Sequence, residues 1–218
     1  MFGRLILAHL VGDFILQTRW LVERKRALSG LAMHVGLVGL AMLPVTWDRL
    51  GHWWPWLLLI LFVHGITDWA KIYLGARLSW PPILLFLADQ AIHVATIAAV
   101  VAWSDKPNVG LPWEQEPVWW IASVYVIGTC ALSVALPLFL DPSRIAQRPP
   151  ALRLTLIVAS ALALTLTWRG FPLLVPVVGV ILYQAVARRL ARSPVAATFD
   201  VEYWSALLMA ASLGWGLS

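Results

Sequence analysis

The strongest constraint on this chain is a succession of apolar runs, each long enough to cross a bilayer. Eight can be read, at 2–18, 28–46, 53–73, 81–103, 117–140, 151–168, 171–189 and 200–217. Helical runs of roughly 17–25 residues match the hydrocarbon thickness of a membrane. The composition agrees, with 61% hydrophobic and 12% charged residues and a mean hydropathy of +0.79, far from a soluble domain of this length. The expected fold is all-α, a polytopic transmembrane helical bundle of about eight helices. No polar linker is long enough to divide it, so residues 1–218 read as one transmembrane domain.

Basic residues orient the bundle. Alternate loops hold Arg19, Arg24, Lys25 and Arg26; Lys71 and Arg77; Arg144, Arg148 and Arg153; then Arg188, Arg189 and Arg192. These twelve oppose four on the other side, Arg4, Arg49, Lys106 and Arg169, which Glu114 and Glu116 accompany. The bias puts the basic loops in the cytoplasm and both termini outside. A net charge of +5 is what such loops carry, so no nucleic acid is expected as a partner. The tryptophans, Trp113 among them, cluster near helix ends as interfacial anchors. Residues 1–18 lack the basic start and small-residue cleavage site of a signal peptide. The single cysteine, Cys130, sits inside a run and excludes a disulfide framework or thiolate metal motif.

Against this apolar background, ionisable groups stand out. His9 and Asp13 lie four apart in the first run, and His64 and Asp68 repeat the pair in the third. The offset is 55 residues for both members, and the same offset carries His34 onto Asp89, where the order reverses as Asp89 and His93. Helices 1–2 and 3–4 thus read as a tandem parallel repeat over 1–103, with 104–218 as a second helical half. Counted from the neighbouring basic residues at 1.5 Å per residue, Asp13 and His9 lie about 9 and 15 Å deep, His34 about 12 Å and His64 about 10 Å. Asp89 lies about 12 Å past Pro81, with His93 a turn deeper. Seven titratable groups from four helices therefore fall in one slab of the cytoplasmic half. Each i,i+4 pair also shares one helix face.

Ionisable side chains in a membrane interior cost several kcal/mol each unless paired or liganded. Imidazole and carboxylate together suit a divalent metal, Zn²⁺, Mn²⁺ or Fe²⁺, as one ion or two. The expected ligands are His9, Asp13, His64, Asp68, Asp89 and His93, with His34 or Asp89 bridging or serving as general base. Gln17, one turn beyond Asp13, is placed to meet a substrate oxygen. The metal-free alternative is a polar network in which each aspartate accepts a hydrogen bond from its own histidine.

The "AHLVGDFILQT" opening, the basic stretch after it, His34, and the "HGITDWAK" and "DQAIH" segments resemble a bacterial membrane family, domain of unknown function 3307. The resemblance covers residues 3–100, the first motif being its most specific part. It implies a bacterial inner-membrane protein and weight on His9, Asp13, Gln17, His64, Asp68, Asp89 and His93. It supplies no substrate. A looser similarity, in histidines and aspartates on short transmembrane helices, points to membrane-bound metal-dependent hydrolases.

Three functions compete. The leading one is a metal-dependent hydrolase of a lipid or lipid-linked substrate, entered from the cytoplasmic leaflet. The second is a metal-ion or proton transporter, which parallel repeats suit but the scarcity of polar groups on the outer half does not. The third is an accessory subunit of a membrane complex. In the second half, Glu202 stands near an inner helix end, and the "DPSRIAQRPP" loop at 141–150 is basic enough to touch lipid headgroups.

Overall fold

The computed structural model describes residues 1–75, 77–104, 117–143, 150–190 and 196–217. Lys106, Trp113, Glu114, Glu116, Arg144, Arg148, Arg192 and the side chains of Arg188 and Arg189 lie outside the described residues, as does most of the 141–150 loop.

Among the described residues the regular structure is helical throughout. Helix α1 (Phe2–Leu10) runs into a π-helical turn (Val11–Leu16), and α2 (Arg19–Arg24) is short. A 3-10 turn (Trp47–Arg49) joins α3 (Leu28–Thr46) to α4 (Leu50–Gly75), and α5 (Pro82–Ser104) follows. Helix α6 (Pro117–Val126) passes through a second π-helical turn (Ile127–Ala131) into α7 (Leu132–Leu140). The last three are α8 (Pro150–Trp168), α9 (Leu174–Leu190) and α10 (Ala196–Leu217). Pro82, Pro117 and Pro150 each open a helix, where the missing N–H has no partner to lose.

Counted as continuous runs these are eight helices, partitioned differently from the eight apolar runs. The first helix stops at Leu16, because Gln17 (φ −76°, ψ 87°) leaves the helical region. The additional helix is α2, whose N-cap Thr18 accepts a hydrogen bond from the Leu21 amide at 3.4 Å. The second and third expected spans run on through the 3-10 turn as Leu28–Gly75, 48 residues. A straight helix of that length would measure about 72 Å, more than twice a hydrocarbon core. Instead the 3-10 turn lets α3 and α4 pack against each other.

Among the described residues, four runs are long and apolar enough to cross a membrane: Leu28–Gly75, Pro82–Ser104, Pro117–Leu140 and Pro150–Trp168. Their surfaces are greasy, with Leu40, Leu58, Phe62, Leu84 and Leu154 all at least half exposed. Water would not tolerate that much apolar surface. Lipid would.

The chain forms two compact units, Met1–Ser123 and Val124–Ser218. In the first, α1 packs on α3, α3 on α4, α4 on α5, and α5 back on α1, closing a ring. One end of the ring carries the Arg4–Asp48 ion pair (3.1 Å) and the contact of His52 Nε2 with the Ser104 carbonyl (3.3 Å). Below it lies an apolar layer of buried Leu5, Val38, Met42, Trp53, Leu57 and Ile97. Two glycines allow close approaches in this unit. A Cβ on Gly12 would stand 2.7 Å from Val38 Cγ2 and 3.1 Å from its Cα, so only glycine lets the π-helical turn approach α3 this closely. A Cβ on Gly30 would stand 2.1 Å from the Arg24 carbonyl oxygen, so glycine there lets α2 fold back onto α3.

The second unit has an apolar core. Leu152, Leu156 and Leu164 of α8 are buried with Phe199, Tyr203 and Leu207 of α10. Its hydroxyls are spent within and between helices: Thr165 and Thr167 donate to the carbonyls four residues before them, and the Tyr203 hydroxyl donates across to the Gly179 carbonyl at 2.7 Å. Glu202 is fully buried in this unit.

Candidate metal centre

The ring of α1, α3, α4 and α5 buries a polar core beneath its apolar layer. His9, His34, His64 and His93 are 1%, 0%, 2% and 2% exposed, so none faces lipid. Asp13, Asp68 and Asp89 are buried with them. Asp13 sits on the π-helical turn, the rare geometry that recurs at functional sites, whereas Asp68 and Asp89 sit on regular α-helix.

The closest contacts run between helices rather than along them. His34 Nε2 lies 3.0 Å from His64 Nε2, 3.2 Å from Asp13 Oδ1 and 3.2 Å from Asp68 Oδ2. His64 Nε2 lies 3.5 Å from the same Asp13 oxygen and 3.7 Å from the same Asp68 oxygen. Within each i,i+4 pair the separations are 3.8 Å for His9–Asp13, 3.7 Å for His64–Asp68 and 3.3 Å for Asp89–His93. Two of the three are too long for a hydrogen bond. The network of aspartates each served by its own histidine is therefore not the arrangement present.

An imidazole nitrogen offers one hydrogen or one lone pair. His34 Nε2 cannot satisfy three neighbours, and Asp13 Oδ1, Asp89 Oδ1 and His93 Nε2 are buried without a geometric hydrogen bond. More ligand atoms converge here than the protein's own donors satisfy, and that suits a cation. Three overlapping sets, His9–Asp13–His64, His34–His64–Asp68 and Asp13–Asp89–His93, each hold ligand atoms within 4.8 Å of one another and can hold a metal ion.

Three further residues enter the centre that the sequence reading left out of it. Lys71 Nζ lies 2.6 Å from Asp89 Oδ2 and 3.1 Å from Asp68 Oδ1. Lys25 Nζ lies 2.5 Å from Asp68 Oδ2 and donates to Gln17 Oε1 at 2.6 Å, so Gln17 joins the cluster through the lysine. Burial pushes the Lys25 ammonium below its ordinary range, and the Asp68 carboxylate opposes that shift. Gln90 bridges the centre: its amide donates to Asp13 Oδ2 at 3.1 Å and Asp89 Oδ2 at 3.3 Å, and its oxygen lies 3.3 Å from His9 Nε2. Lys71 had a local signal, standing three residues after Asp68 on one helix face. Lys25 had none, because α2 must fold back for it to arrive.

A multi-pass helical membrane protein with a buried cluster of histidines and aspartates that can hold metal is the class these features define. Within that class, the chain belongs to the family described as protein of unknown function (DUF3307), which matches residues 1–121. No curated protein and no solved structure matches it.

Proposed function

We propose that the protein is an intramembrane metalloenzyme, a metal-dependent hydrolase acting on a lipid or lipid-linked substrate. One observation carries the metal reading. His34 Nε2, His64 Nε2, Asp13 Oδ1 and Asp68 Oδ2 are separated by 3.0–3.7 Å over five of their six pairings. A tetrahedron with metal–ligand distances of about 2.0–2.1 Å has edges of about 3.3–3.4 Å, and tetrahedral nitrogen and oxygen donors favour Zn²⁺ over Mn²⁺ or Fe²⁺. His34 thus moves from bridging group or base to ligand.

Asp68 divides structural from catalytic behaviour. Lys25 and Lys71 both hold it, which makes it the weakest of the four as a ligand and leaves His34, His64 and Asp13 as the firm three. Three protein ligands with an open fourth position are the pattern of catalytic zinc, where the ion supplies Lewis acidity and lowers the pKa of bound water. Asp68, beside that position, would accept the proton; Asp89, held by Lys71 and Gln90, would position its neighbours. The apolar layer towards Arg4 and Asp48 supports a site open from one side over a transport path. The positive-inside bias supports placing the lysine end in the cytoplasm, within a bacterial inner membrane and with both termini outside. The ring order, with α1 and α4 both antiparallel neighbours of α3 and α5, supports the tandem repeat.

Metal analysis of the purified protein beside His64→Ala tests the centre: zinc is expected with the wild type and absent from the variant, and a metal-free wild type would end this reading. Hydrolysis is tested by incubating the zinc-loaded protein in vesicles of bacterial lipid. Water-soluble headgroup products are expected from the wild type alone, and their absence would leave a structural metal site in place of an enzyme.

A further inference from the structure

We propose that the centre holds one divalent ion, and that Gln90 and Lys71 occupy the place a second ion would take. The proposal rests on the metal reading above. Seven histidines and aspartates are more than one ion needs, and the surplus invites a two-metal centre. The surplus ligands are His9, Asp89 and His93, and the chain's own groups already reach them. The Gln90 amide spans Asp13 Oδ2, Asp89 Oδ2 and His9 Nε2 at 3.1–3.3 Å. Lys71 sets a tethered positive charge between Asp89 and Asp68, at 2.6 and 3.1 Å. What is left over is His93 Nε2 and Asp89 Oδ1, 3.3 Å apart; the third donor of their set is Asp13, already a ligand of the first ion, and two donors are too few for a second.

Charge points the same way. Asp13, Asp68 and Asp89 contribute −3 and Lys25 and Lys71 contribute +2, so the cluster with neutral imidazoles stands at −1. One divalent ion brings it to +1, and a second would bring it to +3. In a low-dielectric interior that excess is costly, and loss of an ammonium or gain of a carboxylate relieves it. Gln90→Glu adds the carboxylate at nearly constant shape, and Lys71→Met removes the ammonium.

The experiment counts zinc per chain in full-length protein, purified in detergent, loaded with zinc and freed of excess. One ion is expected for the wild type, none for Asp13→Asn, and two for Gln90→Glu, alone or with Lys71→Met. Two ions in the wild type would overturn the proposal while leaving the metal centre standing. A Gln90→Glu protein that still holds one ion would overturn it too. No zinc in the wild type would bring down the metal reading itself and this proposal with it. Should Gln90→Glu fail to fold, the wild-type count decides the matter alone.

Discussion

The two units of this chain solve opposite packing problems with the same element. Unit one, Met1–Ser123, wraps four helices around charge, and the family match ends at residue 121, close to its boundary. Unit two, Val124–Ser218, wraps helices around leucine and aromatic rings, with Thr165 and Thr167 turned back onto their own helix and a single buried carboxylate, Glu202, among its described residues. In lipid the hydrophobic effect does not drive helices together, so association rests on packing and on polar contacts. Unit two depends on the first of these. Unit one concentrates the second, and a buried charge cluster is weak evidence for stability but a strong constraint on which partners must stay. The difference is that the core of unit one is broken by removing a charge, and the leucine and aromatic core of unit two by removing volume.

The largest expected effect follows from removing the carboxylate that both lysines face. Asp68→Ala leaves the buried Lys25 without its carboxylate and takes one of the two carboxylates from Lys71. Breaking a buried ion pair in this way costs about 3–5 kcal/mol, and denaturation of chelator-treated protein in detergent reads the loss without any metal contribution. Adding Lys25→Met to that variant should restore most of it, since Lys71 keeps Asp89 as its partner and no ammonium is then stranded. A double variant no more stable than Asp68→Ala would mean that the carboxylate does something other than balance Lys25.

The cluster itself was legible because depth in a membrane can be counted. A fixed rise per residue and alternating helix direction place His9, Asp13, His34, His64, Asp68, Asp89 and His93 in one slab, and all seven are buried together. The lysines were hidden by the same logic. Lys25 and Lys71 sit among residues that the topology rule assigns to loops, and one rule cannot also mark them as interior. Gln90 lay inside the "DQAIH" segment but is uncharged, so the cost argument that exposes a buried aspartate passes over it. The helix ends were harder. That Gln17 leaves the first helix depends on its own backbone angles, and that α2 folds back depends on Gly30, a residue with no side chain to announce a contact.

A middle-sized effect is expected in unit two. Leu164 is fully buried, amid the α8–α10 core. In a soluble protein Leu→Ala would lose both transfer free energy and packing. Inside a membrane protein the cavity remains the main penalty, and at about 24 cal/mol per Å³ over roughly 80 Å³ it amounts to about 2 kcal/mol. The same denaturation assay measures it. A cost equal to that of Asp68→Ala would erase the contrast between the units, because packing alone would then hold as strongly as paired charge.

The smallest effect sharpens the contrast most. Ser160 on α8 is 1% exposed, and its hydroxyl has no hydrogen bond, unlike Thr165 and Thr167 on the same helix. A buried hydroxyl without a partner is a penalty already present in the folded protein. Ser160→Ala removes it with little change in volume and a gain in helix propensity. Stability should stay within about 0.5 kcal/mol of the wild type or rise slightly, as for a substitution that breaks no contact. Unit two would then tolerate loss of a polar group where unit one does not tolerate loss of Asp68. A destabilisation of more than about 1 kcal/mol would reveal a bound partner, such as a buried water, and unit two would have a polar centre of its own.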